Sequence, residues 1–190
     1  MGIKSAIQVI NSMVEAGVVE SYAICGAVAA LNYIEATLTE DLDVLISMGQ
    51  SRDEAAQGLM VLTPVFDYLR QAGYMQFKDE GIVIEDWPVQ FLPVASALDA
   101  EGLAKAIEID VGEGTPPIRA RVLRPEHLVA IALRVGRPKD LIRISQFLEE
   151  SAVDSAMLCA ILDRHGLREA WAGFCRRLAL PNPCERERSS

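Results

Sequence analysis

Apolar residues recur at helical spacing over Lys4–Ala16, where Ile7, Ile10, Met13 and Val14 share a face and Gly17 is placed to stop the helix. The short apolar run Tyr22-Ala23-Ile24-Cys25 ends at Gly26, and alanine-rich Ala27–Tyr33 follows, a pattern that predicts strand, glycine turn, helix. From Asp41 to Met48 the period drops to two. Leu42, Val44, Ile46 and Met48 fall on one side of a strand, Asp41 and Asp43 on the other. Ser51 and Glu54 have capping-box spacing, and Ala55, Leu59, Leu62, Phe66 and Leu69 carry a helix to Gly73, with a kink expected at Pro64. Shorter strands are predicted at Tyr74–Phe77, Ile82–Ile84 and Val89–Val94, with Lys78-Asp79-Glu80-Gly81 as a hairpin turn. Ile107–Val111 alternates strictly, and Ile118–Leu123 is a further strand beyond the loop Gly112–Pro117.

At Pro125 the pattern changes. Pro125 and Pro138 suit first helical positions, and Gly136 and Gly166 suit stops. Four helices are predicted: Pro125–Val135, Pro138–Glu150, Asp154–Arg164 and Leu167–Leu180. Trp171 and Phe174, at helical spacing, are expected to pack these helices together. The fold class is therefore α/β (α+β), a mixed sheet with flanking helices over residues 1–124. A C-terminal helical subdomain follows over 125–180, and residues 181–190 are expected to form a disordered tail.

Half of the 190 residues are hydrophobic, enough to bury a core without staples, and no apolar run approaches the length of a membrane span. With no secretory-type apolar stretch near the start, the expected location is cytoplasmic and no membrane partner is expected. Cys25, Cys159, Cys175 and Cys184 lack metal-site spacing and a disulfide framework, so buried thiols are expected. The net charge of −9 disfavours a general nucleic-acid coat. Yet Ile118–Ser145 holds seven basic residues (Arg119, Arg121, Arg124, Arg134, Arg137, Lys139, Arg143) against Glu126 and Asp140. That segment suits a small anionic ligand or a local RNA contact, and equally a solvated helical face.

Chemistry concentrates at Asp41-Leu42-Asp43. Carboxylates at i and i+2 on a strand project from one face, roughly 6.5–7 Å apart. Both can reach Mg²⁺, which takes a few carboxylates and completes its shell with water and substrate phosphates. Two exposed aspartates on the wet side of a strand are the bland alternative. Gly26, fifteen residues upstream of Asp41, adds weight: a glycine opening a helix admits a phosphate to the backbone, where the helix N-terminus favours negative charge. Glu108 and Asp110 repeat the spacing, though the polar side of an edge strand explains them as well. His127, in a first helical turn, reads as a surface or satisfied residue, and His165 as a favourable charge at a helix C-terminus.

Cys25-Gly26-Ala27-Val28-Ala29 followed by Thr39-Glu40-Asp41-Leu42-Asp43-Val44-Leu45-Ile46 resembles the core motif of the nucleotidyltransferase superfamily. Val89-Gln90-Phe91-Leu92-Pro93, Pro125-Glu126-His127-Leu128 and Arg137-Pro138-Lys139-Asp140 continue the likeness, in order, toward the bacterial branch that includes AbiEii-type toxins. The resemblance spans roughly Tyr22–Leu148 and implies a nucleotidyltransferase-like fold. It also implies Mg²⁺-dependent transfer of a nucleoside monophosphate from an NTP to a hydroxyl of RNA (tRNA), protein or a small molecule, with a cognate antitoxin as a possible partner. In that reading Asp41 and Asp43 are catalytic and hold the metal. Gly26 and Ala27 bind phosphate, and Arg137 and Lys139 face the triphosphate or the acceptor, though Arg137–Asp140 equally reads as the start of a helix. The sequence departs from the pattern at Thr37 (where an arginine is common), at Gln90 (a third carboxylate), at Ala132 (a lysine) and at Ala27 (the second glycine or a serine). These departures support an alternative, a catalytically degenerate member that binds nucleotide or a partner. A purely structural α/β protein is the third option.

Overall fold

The structure, a computed structural model, describes residues 2–35, 39–49, 62–112 and 117–185. The expected capping box at Ser51 and Glu54, the apolar positions Ala55 and Leu59, and Thr37 lie outside these residues. Backbone contacts divide the chain into two compact units, Met1–Ala29 with Ala36–Leu123, and Ala30–Glu35 with Arg124–Ser190.

In the first unit the described strands form one mixed sheet: β1 (Ser21–Ile24), β2 (Leu42–Ser47), β3 (Phe77–Lys78), β4 (Gly81–Ile84), β5 (Trp87–Pro93), β6 (Ile107–Val111) and β7 (Ile118–Val122). Their spatial order is β3-β4-β5-β2-β1-β7-β6. β2 runs parallel to β5 and β1 parallel to β7, while the remaining neighbours are antiparallel. The period-two pattern of β2 decides which side is core: Leu42, Val44 and Ile46 are all fully buried. Tyr22 and Ile24 lie in register with Ile46 and Val44 on that same side. Helix α1 (Ile3–Glu15) brings Ile7, Ile10 and Met13 to the core, and Asn11 Oδ1 accepts from the Tyr22 hydroxyl at 2.7 Å.

Helix α4 (Ala97–Ala104) packs against β1 and β2, and its Leu103 carbonyl accepts from Arg121, a β7 residue on the side opposite Val122. Its start is set by Ser96, whose hydroxyl accepts from the Asp99 N–H at 3.2 Å and donates to the Asp99 carboxylate at 2.7 Å. The hydropathy pattern predicts no element here, because the helix has only a weakly one-sided apolar face. Pro64 lies in the first turn of helix α3 (Thr63–Gln71), where its missing N–H costs nothing. One other expectation is corrected: helix α2 (Gly26–Ala30) is one short turn, where a helix to Tyr33 was expected.

At the far edge, β3 and β4 pair across Asp79-Glu80 as the hairpin turn predicted. A second tight turn, Glu85-Asp86, joins Ile84 to its partner Trp87 with φ of 52° and 72°. Both central residues being left-handed gives the primed turn that matches strand twist. The strand expected at Tyr74–Phe77 shrinks to Phe77–Lys78, because Tyr74 anchors sideways. Its hydroxyl donates to Glu85 Oε1 at 2.6 Å. The Glu85 carboxylate beside it pushes the Tyr74 hydroxyl up to about 12 from an ordinary 10.0. A raised folded-state value stabilises the fold fully below the unfolded value, and the contribution is lost as pH rises through the folded one. Tyr74→Phe should therefore remove part of the stability loss between about pH 10 and 12, as measured by denaturant unfolding at stepped alkaline pH.

The second unit contains α5 (Pro125–Val135), α6 (Pro138–Glu149), α7 (Ser155–Arg164) and α8 (Arg168–Arg177), starting and stopping close to the predicted positions. Trp171 and Phe174 are both buried and stack with centroids 5.5 Å apart. Glu126 is buried too, and its carboxylate accepts the Asp154 N–H at the start of α7. His127 is buried at 2% exposure rather than on the surface, because its position in α5 turns inward with Leu128. His165 occupies the C-cap of α7 as expected.

Two expectations about this unit are corrected by one feature. Cys159 in α7 and Cys184 form a disulfide across 25 positions, a separation that carries no local spacing signal. The bond fixes Pro181–Glu185, expected to be disordered, and buries Cys184. Arg168 donates to the Cys184 carbonyl at 2.6 Å, and Asn182 Oδ1 accepts the Cys184 N–H at 3.1 Å. Cys25 and Cys175 remain buried thiols. No described helix is long and apolar enough to cross a membrane.

Candidate functional site

The site assembles where β1 ends. The Cys25 N–H donates to the Asp43 carbonyl at 2.9 Å, continuing the β1–β2 ladder by one bond and carrying the chain into Gly26 beside Asp43. Gly26 opens α2 with φ of 62°. A Cβ built there would clash with Asp43 Oδ2 and lie 2.9 Å from Asp43 Cγ. Glycine is thus needed for the left-handed backbone and for the space that the Asp43 carboxylate takes. Gly26→Ala should cost about 1–2 kcal/mol through the backbone conformation alone and also displace the carboxylate. Chemical denaturation of the variant checks the first effect.

The glycine turn and one predicted aspartate are therefore together. A phosphate approaching the Gly26–Ala27 backbone meets the Asp43 carboxylate, and two anions at that distance need a cation between them. Asp41 sits just ahead of β2 rather than inside it, because Thr39 ends the approach to the strand. The Thr39 hydroxyl lies 2.9 Å from Asp41 Oδ1 and 3.2 Å from its carbonyl oxygen, leaving the Asp41 carboxylate exposed. Asp43 is half-buried, on the side of β2 away from Leu42 and Val44.

On the other side of β2, Gln90 is the register partner of Asp43. Its Nε2 donates to Glu80 Oε2 at 2.7 Å, so the β3–β4 turn reaches the site through this pair. Lys78 from the same hairpin lies 3.2 Å from Glu40 Oε2. Neither Glu80 nor Lys78 stood out in the sequence beyond forming a turn. Their relevance depends on the β4–β5 pairing that folds the hairpin back. Among the described residues no group of three or more His, Cys, Asp or Glu side chains converges closely enough to hold a metal ion. Two carboxylates suit Mg²⁺ that arrives with water and nucleotide phosphates as its other ligands, not a fully protein-bound ion.

Arg137 and Lys139 belong to the second unit. Arg137 Nε donates to Asp140 Oδ2 at 2.8 Å, and Asp140 is buried with Arg143 3.7 Å from its other oxygen. A buried carboxylate requires such partners, so this contact gives Arg137 a structural task at the start of α6, while Lys139 is exposed. Ala132 is buried in α5, a place where a lysine ammonium would be desolvated. Glu108 and Asp110 lie on edge strand β6 opposite Arg121 and Arg119, and Glu108 reaches Arg119 at 3.5 Å in a solvent-exposed pair of little energetic weight. Among the described residues, one surface cavity of about 440 Å³ is lined by Tyr74 and Glu85, and another of about 320 Å³ by Tyr22 and Arg119. Neither is lined by Asp41 or Asp43.

No family model matches the chain, and no curated protein does. Among solved structures it is similar to a crystal structure of ANT(2″)-Ia in complex with adenylyl-2″-tobramycin, at 15% identity and a TM-score of 0.42, covering 91% of this chain and 98% of that one. It is also similar to a solution structure of the antibiotic-resistance factor ANT(2″)-Ia, at 16% identity and a TM-score of 0.41, covering 92% and 93%.

Proposed function

We propose that the chain is a Mg²⁺-dependent nucleotidyltransferase that moves a nucleoside monophosphate from an NTP to a hydroxyl acceptor. The observation that carries this reading is the Asp43 carboxylate packed against left-handed Gly26 at the strand–turn–helix junction, with Asp41 two residues ahead of it. Asp41 and Asp43 would hold Mg²⁺, whose chemistry is to bridge phosphate oxygens and offset the charge that develops during transfer. Gly26 leaves the space that the Asp43 carboxylate takes, and the Gly26–Ala27 turn is the proposed phosphate contact. Arg137 and Lys139 are proposed as phosphate contacts on the strength of the sequence resemblance alone.

The overall charge of −9 favours a small-molecule or protein acceptor over RNA, since an RNA surface would be repelled outside the one basic segment. A toxin role with a cognate antitoxin, tRNA as acceptor, and a cytoplasmic location rest on the resemblance and on composition. A second reading has its own support: Gln90 is neutral and Ala132 is packed, as a nucleotide- or partner-binding descendant would allow. Incubation with α-³²P-labelled NTPs, Mg²⁺ and candidate acceptors separates the two. A transferase releases pyrophosphate and labels an acceptor. A binding module retains nucleotide in a Mg²⁺-dependent manner and releases no pyrophosphate.

A further inference from the structure

We propose that Cys175 is a gated modification site: the Cys159–Cys184 bond seals its thiol, and opening that bond lets it form a mixed disulfide with a small-molecule disulfide. All three sulfurs belong to the second unit, so the proposal is independent of the transferase reading. Helices α7 and α8 are joined by His165-Gly166-Leu167 and pack on each other. Cys159 and Cys175 each lie roughly two turns from that connection, and both are 1% exposed. Cys184 is bonded to the first, with Cα atoms 5.5 Å apart. Glu185 beside it lies close enough to the second for its carboxylate to act on the Cys175 thiol. The segment Pro181–Glu185 therefore passes both cysteines.

Few contacts hold that segment. Cys184 is the one residue of Pro181–Glu185 that is buried, so beyond the sulfur bond little apolar burial ties it down. Arg168 donates to the Cys184 carbonyl, whereas Asn182 Nδ2 donates to Glu185 Oε1 at 3.0 Å, a contact that moves with the segment. Burial first, and the Glu185 carboxylate second, push the Cys175 thiol up and keep it protonated. Release of the segment removes both causes together, since water enters as Glu185 departs. A more acidic thiol carries more thiolate, the form that attacks disulfides. Opening the bond takes a dithiol, which gives up two electrons and two protons, becomes a disulfide and leaves Cys159 and Cys184 as thiols. The Cys175 thiolate then attacks one sulfur of the small disulfide. A mixed disulfide forms, the S–S bond of the reagent breaks, and the departing thiolate takes the proton that Cys175 gave up.

The test opens the bond by substitution, so that no reductant competes for the probe. Cys159→Ser/Cys184→Ser leaves Cys175 and, in the first unit, the buried Cys25 as an internal control. Oxidised glutathione at mildly alkaline pH is the probe. Peptide mass mapping locates the adducts, and circular dichroism follows helix content. Cys175 should be modified on the order of tenfold faster in the double variant than in the bonded wild type, while Cys25 stays unmodified and the helices persist. Wild type reduced with a phosphine should show the same gain at Cys175 toward iodoacetamide. A rate at Cys175 no higher in the double variant than in the bonded wild type would overturn the proposal. Modification of Cys25 at the same rate, or loss of helix content, would overturn it as well, because unfolding rather than release of the segment would then expose the thiol.

Discussion

Asp43→Asn should abolish nucleotidyl transfer, with a rate loss on the order of 10³-fold, while the fold survives. The size follows from removing a fixed charge aimed at the place where negative charge develops, the largest single contribution in many active sites. Asparagine matches aspartate in shape, so it still fits the space above Gly26, where a Cβ would have collided with Asp43. Its amide is neutral and is a far weaker partner for a divalent cation than a carboxylate. Initial rates of pyrophosphate release, with thermal unfolding as the control for folding, separate loss of chemistry from loss of structure. A variant that keeps its melting temperature and its rate would show that the Asp43 carboxylate has no part in the reaction.

Opening the Cys159–Cys184 bond should destabilise the second unit by about 3.5 kcal/mol, the chain-entropy value for a loop of 25 residues. Cys184→Ala, or reduction with a phosphine, should therefore lower the denaturant midpoint markedly, and Pro181–Glu185 should become accessible to proteases. The same bond bears on location. Stable disulfides are rare in a reducing cytoplasm, so a cytoplasmic protein would be isolated with the bond open and the lower stability. Alkylation of the denatured, unreduced protein reads the state directly. Two modified cysteines mean the bond is present in the sample, and four mean it is open. Full reduction without any change in the unfolding midpoint would contradict the staple.

Much of this was legible in the chain because local signals were strong. Pro125 and Pro138 mark helix starts, and Gly136, with φ of 71°, marks a stop, so the boundaries of α5 and the start of α6 fall where the sequence puts them. The alternation in β2 separated the buried face from the one bearing Asp43. What escaped depends on other kinds of information. The Glu85-Asp86 turn has neither glycine nor asparagine, and its two left-handed residues are sustained by strand pairing on both sides. Helix α4 relies on the Ser96–Asp99 cap rather than on an apolar stripe. Cys184 pairs with a residue 25 positions away, and Glu80 meets Gln90 only after the hairpin folds onto β5. Within the site, the Gly26–Asp43 contact was anticipated as two separate features. That they touch is a tertiary fact, set by the β1–β2 register that the backbone bond from Cys25 to Asp43 extends.

The most direct measurement is thermal unfolding of wild type and Asp43→Asn with each NTP, with and without Mg²⁺. A nucleotide at about 100 times its Kd should stabilise the wild-type fold by roughly 2.7 kcal/mol, only when Mg²⁺ is present, and the shift should vanish in Asp43→Asn. No Mg²⁺-dependent shift with any NTP, or an equal shift in the variant, would contradict a nucleotide site at Gly26 and Asp43.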